Sequence, residues 1–242
     1  MLIIAHRGAS AEAPENTLAA LNRALDCGAD GIEIDVYHVD GEIFVFHDRY
    51  LERLTAHPGR LCDLTVQQIR TLKVFNQHPI PTLDEALACI QGRCLTNIEL
   101  KGHVPLECLT KVLDRACGSY NYRPEQLIVS SFNHHWLAEA KRALPWLRLG
   151  ALSTGCMLDY ARFASDLGAY SVHSCVDFVE LALVNDAHRR GLPIFVYTVD
   201  EASDIESLLA MGVDGIFTNH PQHARNVLNG LVTDENELLR HR

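Results

Sequence analysis

The stretch Gly31-Ile32-Glu33-Ile34-Asp35-Val36 alternates apolar and acidic side chains with a period of two. A strand points successive side chains to opposite faces, so Ile32, Ile34 and Val36 share one face and Glu33 and Asp35 the other. In an antiparallel sheet with one wet side this would be ordinary amphipathic patterning. The rest of the chain argues otherwise. Short apolar runs at 2–6, 31–37, 94–101, 127–132, 147–151, 170–174, 193–199 and 214–218 alternate with helical patterns at 17–27, 82–91, 105–117, 134–143, 157–167, 179–190, 202–211 and 221–229. Such alternation with short links builds parallel strands under a layer of helices. About eight units in one chain is the count of a TIM (β/α)8 barrel. Parallel strands under helices are normally apolar on both faces. The apolar face of 31–36 must therefore meet the helices, and its two carboxylates must point into the barrel. That placement is costly unless a cation or hydrogen bonds compensate it.

One connection departs from the simple alternation. Residues 42–48, Glu-Ile-Phe-Val-Phe-His-Asp, read as the second arm of a hairpin turning at Asp40-Gly41. A polar segment at 49–81 follows, with a small helical pattern at 65–73, before the helix at 82–91. This predicts a small insertion after the second strand, over the C-terminal mouth of the barrel. No repeat, low-complexity tract or linker divides the chain, so residues 1–242 are expected to form a single domain.

Composition narrows the function classes. The formal charge of −10 argues against a nucleic-acid partner, which asks for a basic surface. It does not exclude a small anionic substrate, because a site can be locally positive. The eight cysteines form no C-x-x-C pair and are read as reduced thiols in or near the core. A charged leader and a membrane-length apolar run are both lacking, so a cytoplasmic protein without a stable membrane anchor is expected. The sequence sets no oligomeric state.

The third strand repeats the pattern of the second. Ile98 and Leu100 share one face, and Asn97, Glu99 and Lys101 the other. Glu33, Asp35 and Glu99 thus converge inside adjacent strands near their C-terminal ends. Three hard oxygen ligands suit one divalent cation, Mg²⁺ or Ca²⁺, better than zinc. An internal ion-pair network, with Arg7 and Lys101 neutralising the acids, accounts for the same pattern. His6 ends the first strand and His47 the hairpin arm, both at the mouth, where paired histidines suit acid–base work. Arg7 and Lys101 supply fixed positive charge for a phosphate. Asp48 can orient His47 or cap the following segment, and the cap is the preferred expectation. Thr218-Asn219, at the end of the last strand, suits either phosphate binding or a helix cap. In the first loop, Gly8 is expected to let the backbone approach a ligand, Asn16 or Thr17 to cap the first helix, and Glu15 to brace the loop.

Taken in order, the motifs His6-Arg7-Gly8, Pro14-Glu15-Asn16-Thr17, Glu33-Ile34-Asp35, His47-Asp48, Leu51-Glu52-Arg53, 80–87, Glu99-Leu100-Lys101, Ser130-Ser131-Phe132 and 214–219 resemble the glycerophosphodiester phosphodiesterase family, most closely its small bacterial cytoplasmic members. The likeness runs from residue 3 to about 225. It implies a TIM barrel with a small insertion and a divalent cation on Glu33, Asp35 and Glu99. It implies His6 and His47 as general acid and base, and Arg7 and Lys101 on the phosphate. The implied reaction is hydrolysis of glycerophosphodiesters, such as those of choline or ethanolamine, to glycerol 3-phosphate and an alcohol. Where the family commonly has Trp-Thr-Val-Asn on the seventh strand, positions 197–200 read Tyr-Thr-Val-Asp, so Tyr197 is the ring expected on the glycerol side. The rival readings are a lysophospholipase D-like phosphodiesterase and a non-catalytic phosphate-binding barrel.

Overall fold

The computed structural model describes the backbone of residues 1–240 and the side chains of residues 1–230. Along the chain run β1 (Leu2–Ala5), α1 (Leu18–Asp26), β2 (Gly31–Val39), β3 (Glu42–Val45), α2 (Val66–Thr71), β4 (Lys73–Val74), β5 (His78–Pro79), α3 (Leu83–Ile90), β6 (Leu95–Leu100), α4 (Leu106–Ser119) and β7 (Leu127–Ser131). Then follow α5 (His134–Ala143), β8 (Arg148–Ser153), α6 (Arg162–Leu167), β9 (Ser171–Cys175), α7 (Leu181–Arg189), β10 (Ile194–Tyr197), α8 (Ala202–Met211), β11 (Gly215–Thr218) and α9 (Pro221–Arg240). The parallel strands run in the order β1-β11-β10-β9-β8-β7-β6-β2, and β1 also pairs with β2, which closes the barrel. The TIM barrel expected from the alternation is the fold observed.

The expected hairpin is present: β3 pairs antiparallel with the end of β2, and Asp40 and Gly41 both have positive φ at the turn. Beyond it, Phe44, Phe46, Leu51, Leu54, Leu61, Ile69, Val74 and Ile80 form a small apolar cluster of their own under the polar insertion. Thr65 with Gln68 and Thr82 with Glu85 make reciprocal capping boxes that start α2 and α3. Thr17, not Asn16, caps α1, its hydroxyl accepting from the Ala20 amide at 3.3 Å.

Two helix boundaries and the burial of some cysteines differ from expectation. The helix expected at 157–167 begins only at Arg162, because Met157 and Leu158 are exposed in the preceding loop and have no buried face to complete. The last helix continues past 229 to Arg240, and the side chains of the polar tail beyond 230 lie outside the described residues. Among the cysteines, all free, Cys27 and Cys94 are buried, but Cys62 and Cys156 are exposed rather than in the core.

The outward faces of the strands pack under the helices, with Ile32, Ile34, Val36, Ile98 and Leu100 in one large cluster. Inside the barrel, Ile4, Ile128, Phe195 and Phe217 form the floor. The fully buried His173 ring lies among them, against Phe195 and Phe217. Burial pushes its pKa down to about 3, so it is neutral there, and its Nε2 pairs with Ser171 Oγ at 2.9 Å. Gly150 makes room for this ring: a Cβ on Gly150 would stand 2.3 Å from His173 Cε1. Gly150→Ala is therefore expected to cost ~1–3 kcal/mol of stability by overpacking. Urea unfolding of the double variant with His173→Ala should show most of that cost relieved, since removing the ring removes the clash.

Candidate active site

The register places Asp35 beside Glu99 and Glu33 beside Asn97 on adjacent strands. All four side chains face inward, because the alternate residues of both strands lie in the outer apolar cluster. The carboxylates of Glu33, Asp35 and Glu99 offer oxygens that all lie within 4.8 Å of one another, with 2, 1 and 9% of these residues exposed. Burial, then the neighbouring charges of Asp35 and Glu99, drives the Glu33 pKa well above the usual carboxylate value. Burial and Asp35 raise Glu99 to about 7 despite Lys101.

Two cations meet this cluster. Lys101 Nζ lies 2.8 Å from Glu99 Oε1 and 3.7 Å from Asp35 Oδ1. The Arg7 amide donates to Glu33 Oε2 at 2.8 Å, and its guanidinium Nε lies 3.4 Å from Asp35 Oδ2. Burial works against the Lys101 charge, but Glu99 and Asp35 outweigh it and raise its pKa. The ion-pair reading is nonetheless incomplete. Arg7 also serves Glu15, at 2.8 Å, and Glu33 Oε1 and Asp35 Oδ1 have no hydrogen-bond donor. Buried carboxylate oxygens without donors beside a third carboxylate are the environment that a hard divalent cation satisfies. The donor set fits one.

The loop after β1 is folded around the same charges. Arg7 and Asn16 both adopt left-handed backbone conformations, φ 57° in each case, and the Asn16 amide donates to the Arg7 carbonyl at 2.9 Å. Asn16 Nδ2 then donates to Asp35 Oδ2 at 2.9 Å. Gly8 is required by packing: at φ +78°, a Cβ there would lie 2.6 Å from the Ala20 backbone in α1.

The two histidines face different partners. His6 Nδ1 lies 2.8 Å from Asn219 Oδ1, so Asn219 turns to the histidine and not to the helix that follows. Burial, then the Arg7 charge, holds the His6 pKa down to about 4, leaving it neutral at pH 7. His47 Nδ1 lies 2.7 Å from Asp48 Oδ1. Asp48 orients that ring and caps nothing, since the next helical turn is Leu61–Asp63. Burial opposes the Asp48 charge, but hydrogen bonds from Arg53 and His47 hold its pKa at about 2. Arg53 donates to both oxygens of Asp48 and, at 2.7 Å each, to both of Glu15. Glu15, His47 and Asp48 form a second convergence of ligand atoms, but Arg53 already occupies it with positive charge.

Tyr197 lines the opposite wall, its hydroxyl donating to the Ser153 carbonyl at 2.8 Å and its ring edge-on to Phe132. His6, Glu33, Asn97, Glu99, His173 and Tyr197 line one cavity at the barrel centre, small enough, at about 30 Å³, for a water or a single ion. Sequence reasoning missed Asn219 as a partner of His6, and with it Ser10, Asp200 and Arg53. Arg53 stood inside a quoted motif. Asp200 was visible only as a departure from one.

The chain matches the Glycerophosphoryl diester phosphodiesterase family over residues 6–223. A glycerophosphodiester phosphodiesterase of Caldanaerobacter subterraneus subsp. tengcongensis is 37% identical over 237 residues, covering 94% of this chain and 97% of its own. Among solved structures, an Oleispira antarctica phosphodiesterase in complex with the product sn-glycerol-3-phosphate aligns with TM-score 0.85 at 28% identity, covering 95% of this chain and 97% of that one. A glycerophosphodiester phosphodiesterase from Thermotoga maritima aligns with TM-score 0.78 at 26% identity, covering 94% and 98%.

The carboxylate cluster generates a stability prediction. Removing one buried, incompletely paired charge should relieve the metal-free protein, so Glu33→Gln in EDTA at pH 8 is expected to be more stable than the parent by ~1–3 kcal/mol. Added Mg²⁺ or Ca²⁺ should raise the melting temperature of the parent and leave that of the variant nearly unmoved. A variant destabilised in EDTA would show that the acids are already balanced.

Proposed function

The chain belongs to the glycerophosphoryl diester phosphodiesterase family, and from that premise we propose that it hydrolyses glycerophosphodiesters, such as glycerophosphocholine and glycerophosphoethanolamine, to glycerol 3-phosphate and the free alcohol. The observation that carries this reading is the convergence of three buried carboxylates, two of them with donorless oxygens, beside Arg7, Lys101 and two histidines. We assign Glu33, Asp35 and Glu99 as the holders of one divalent cation, Mg²⁺ or Ca²⁺. Bound there, it supplies Lewis-acid polarisation of a phosphoryl oxygen and of a neighbouring hydroxyl. Arg7 and Lys101 hold the phosphoryl oxygens and stabilise charge that grows on them. One histidine takes the proton of the attacking oxygen, whether from water or the adjacent substrate hydroxyl, and the other protonates the departing alkoxide. Tyr197 and Phe132 wall the glycerol side. A binding protein would have no use for two histidines, each held in place through Nδ1. Residues 1–242 act on this reading as one domain with 49–81 as its insertion, and the free state of all eight cysteines suits the cytoplasm.

The purified protein should release glycerol 3-phosphate from glycerophosphocholine, and EDTA should stop it until divalent cation is restored. His6→Ala and His47→Ala should each lower kcat by roughly 10² to 10⁴-fold, the usual worth of general acid–base catalysis. Undiminished turnover by either variant would remove that histidine from the chemistry.

One observation favours a wider substrate range. Phe132 after β7, Met157 and Leu158 after β8, Phe178 after β9 and Leu181 at the start of α7 are all exposed on consecutive connections at the mouth. No helix among the described residues is long and apolar enough to cross a membrane. The rim nevertheless offers apolar surface beside Tyr197 for an aliphatic extension of the substrate, as a lysophospholipase D-like activity requires. Choline release should then be measurable from lysophosphatidylcholine as well as from the deacylated diester. Leu158→Glu should depress the first and spare the second. Equal loss on both substrates would assign the rim no role in chain binding.

A further inference from the structure

We propose that Asp200 is a positioning residue that, through Asn219, fixes the tautomer of His6 and leaves its Nε2 as the proton acceptor of the reaction. The inference deepens the phosphodiesterase reading and rests on it for the role of His6. Its geometry stands independently.

A carboxylate accepts hydrogen bonds and does not donate them. Asp200 is met by three donors: Thr218 Oγ1 at 2.9 Å and the Asn219 amide at 2.8 Å on Oδ1, and Asn219 Nδ2 at 2.6 Å on Oδ2. The last contact decides which way the Asn219 side chain points, a choice that only its partners can settle. Its NH₂ end must face Asp200, so its oxygen faces the barrel mouth. There the oxygen accepts from Ser10 Oγ at 2.8 Å and lies 2.8 Å from His6 Nδ1. An amide oxygen has no proton to give, so the proton in that contact belongs to His6 Nδ1. In the neutral ring the lone pair is then on Nε2.

His47 also directs Nδ1 to an acceptor, but a different one. Its partner is the Asp48 carboxylate, held in turn by Arg53. A carboxylate offsets the positive charge of a doubly protonated ring, whereas the Asn219 amide carries no net charge. Arg7, the next residue, adds positive charge beside His6. These surroundings divide the work: His6 takes the nucleophile's proton on Nε2, and His47 delivers one to the leaving oxygen. Protons balance over the cycle when the two rings return to their starting forms.

The direct test is ¹⁵N NMR of histidine-labelled, Mg²⁺-loaded protein at pH 7.5, with the His6 signals identified by their loss in His6→Gln. A proton on Nδ1 and a bare Nε2 are expected. The opposite tautomer overturns the proposal, and this readout, made on the parent protein, needs no turnover. In kinetics with glycerophosphocholine, Asp200→Ala should lower kcat roughly ten- to a hundredfold with little change in KM, as loss of an outer positioning group does. Asp200→Asn, whose carbonyl can still accept from Asn219 Nδ2, should restore most of it. A purely structural role would instead lower the melting temperature of Asp200→Ala and leave kcat of the folded fraction and the His6 tautomer unchanged, which also overturns the proposal. If the parent turns over no diester at all, the reaction assignment fails while the tautomer measurement still decides the geometry.

Discussion

The structure is organised around negative charge taken out of water. Glu33, Asp35 and Glu99 sit on inward faces of β2 and β6 because the alternate residues of both strands are committed to the helices. Once those apolar faces are buried, a strand of period two has nowhere else to send its acids. What surrounds them follows as compensation. Lys101 arrives two residues after Glu99 on the same face, and Arg7 and Asn16 bend into left-handed backbone to reach Glu33 and Asp35. Compensation stops short of neutrality, and the oxygens left without donors are those that a cation would satisfy. On the proposed reading, this uncompensated charge is a cost that binding of a cation would remove.

Below the acids the barrel floor is apolar. Ile4, Ile128, Phe195 and Phe217 close it, with His173 packed among them as a neutral ring. That floor matters to the chemistry above, because charge–charge interactions strengthen where water is excluded. The buried acids therefore act strongly on one another, and Arg7 acts strongly on His6. His173 is a third histidine in the same cavity, but its surroundings deny it a charge. A histidine count alone would not separate it from His6.

Patterns of two and of 3.6 residues were enough to find the barrel, the hairpin and the inward acids, because burial on both faces of parallel strands makes an alternating charge conspicuous. The same reasoning misplaced the start of the sixth helix. Met157 and Leu158 are apolar yet exposed at the mouth, where they complete no buried face. It also did not reach the constraint that the backbone of α1 places on Gly8, a contact set by tertiary approach and invisible locally. A helix cap was the preferred expectation for Asp48 and one of two for Asn219, since Asp and Asn near a helix start often cap it. Their actual partners, His47 and His6, depend on side-chain direction. The partner of Asn219 lies across the barrel closure, 213 positions away in sequence. Short-range pattern finds the strands that carry a site. It does not find the second layer that aims it.

That second layer also gives the insertion a physical role. Arg53 comes from the segment after β3, yet it grips Asp48 on one side and Glu15, from the loop after β1, on the other. An isolated exposed ion pair is worth little, but a guanidinium shared between two carboxylates with paired donors is directional. Glu15 in turn holds Arg7, and Asp48 holds His47. The chain of contacts His47–Asp48–Arg53–Glu15–Arg7 therefore spans the mouth and ties one proposed proton carrier to a proposed phosphate ligand. The apolar cluster of Leu51, Leu54 and Leu61 anchors the segment from which Arg53 projects. On this view the insertion is a brace: it buries enough apolar surface to hold one arginine still, and that arginine sets the distance between two halves of the site.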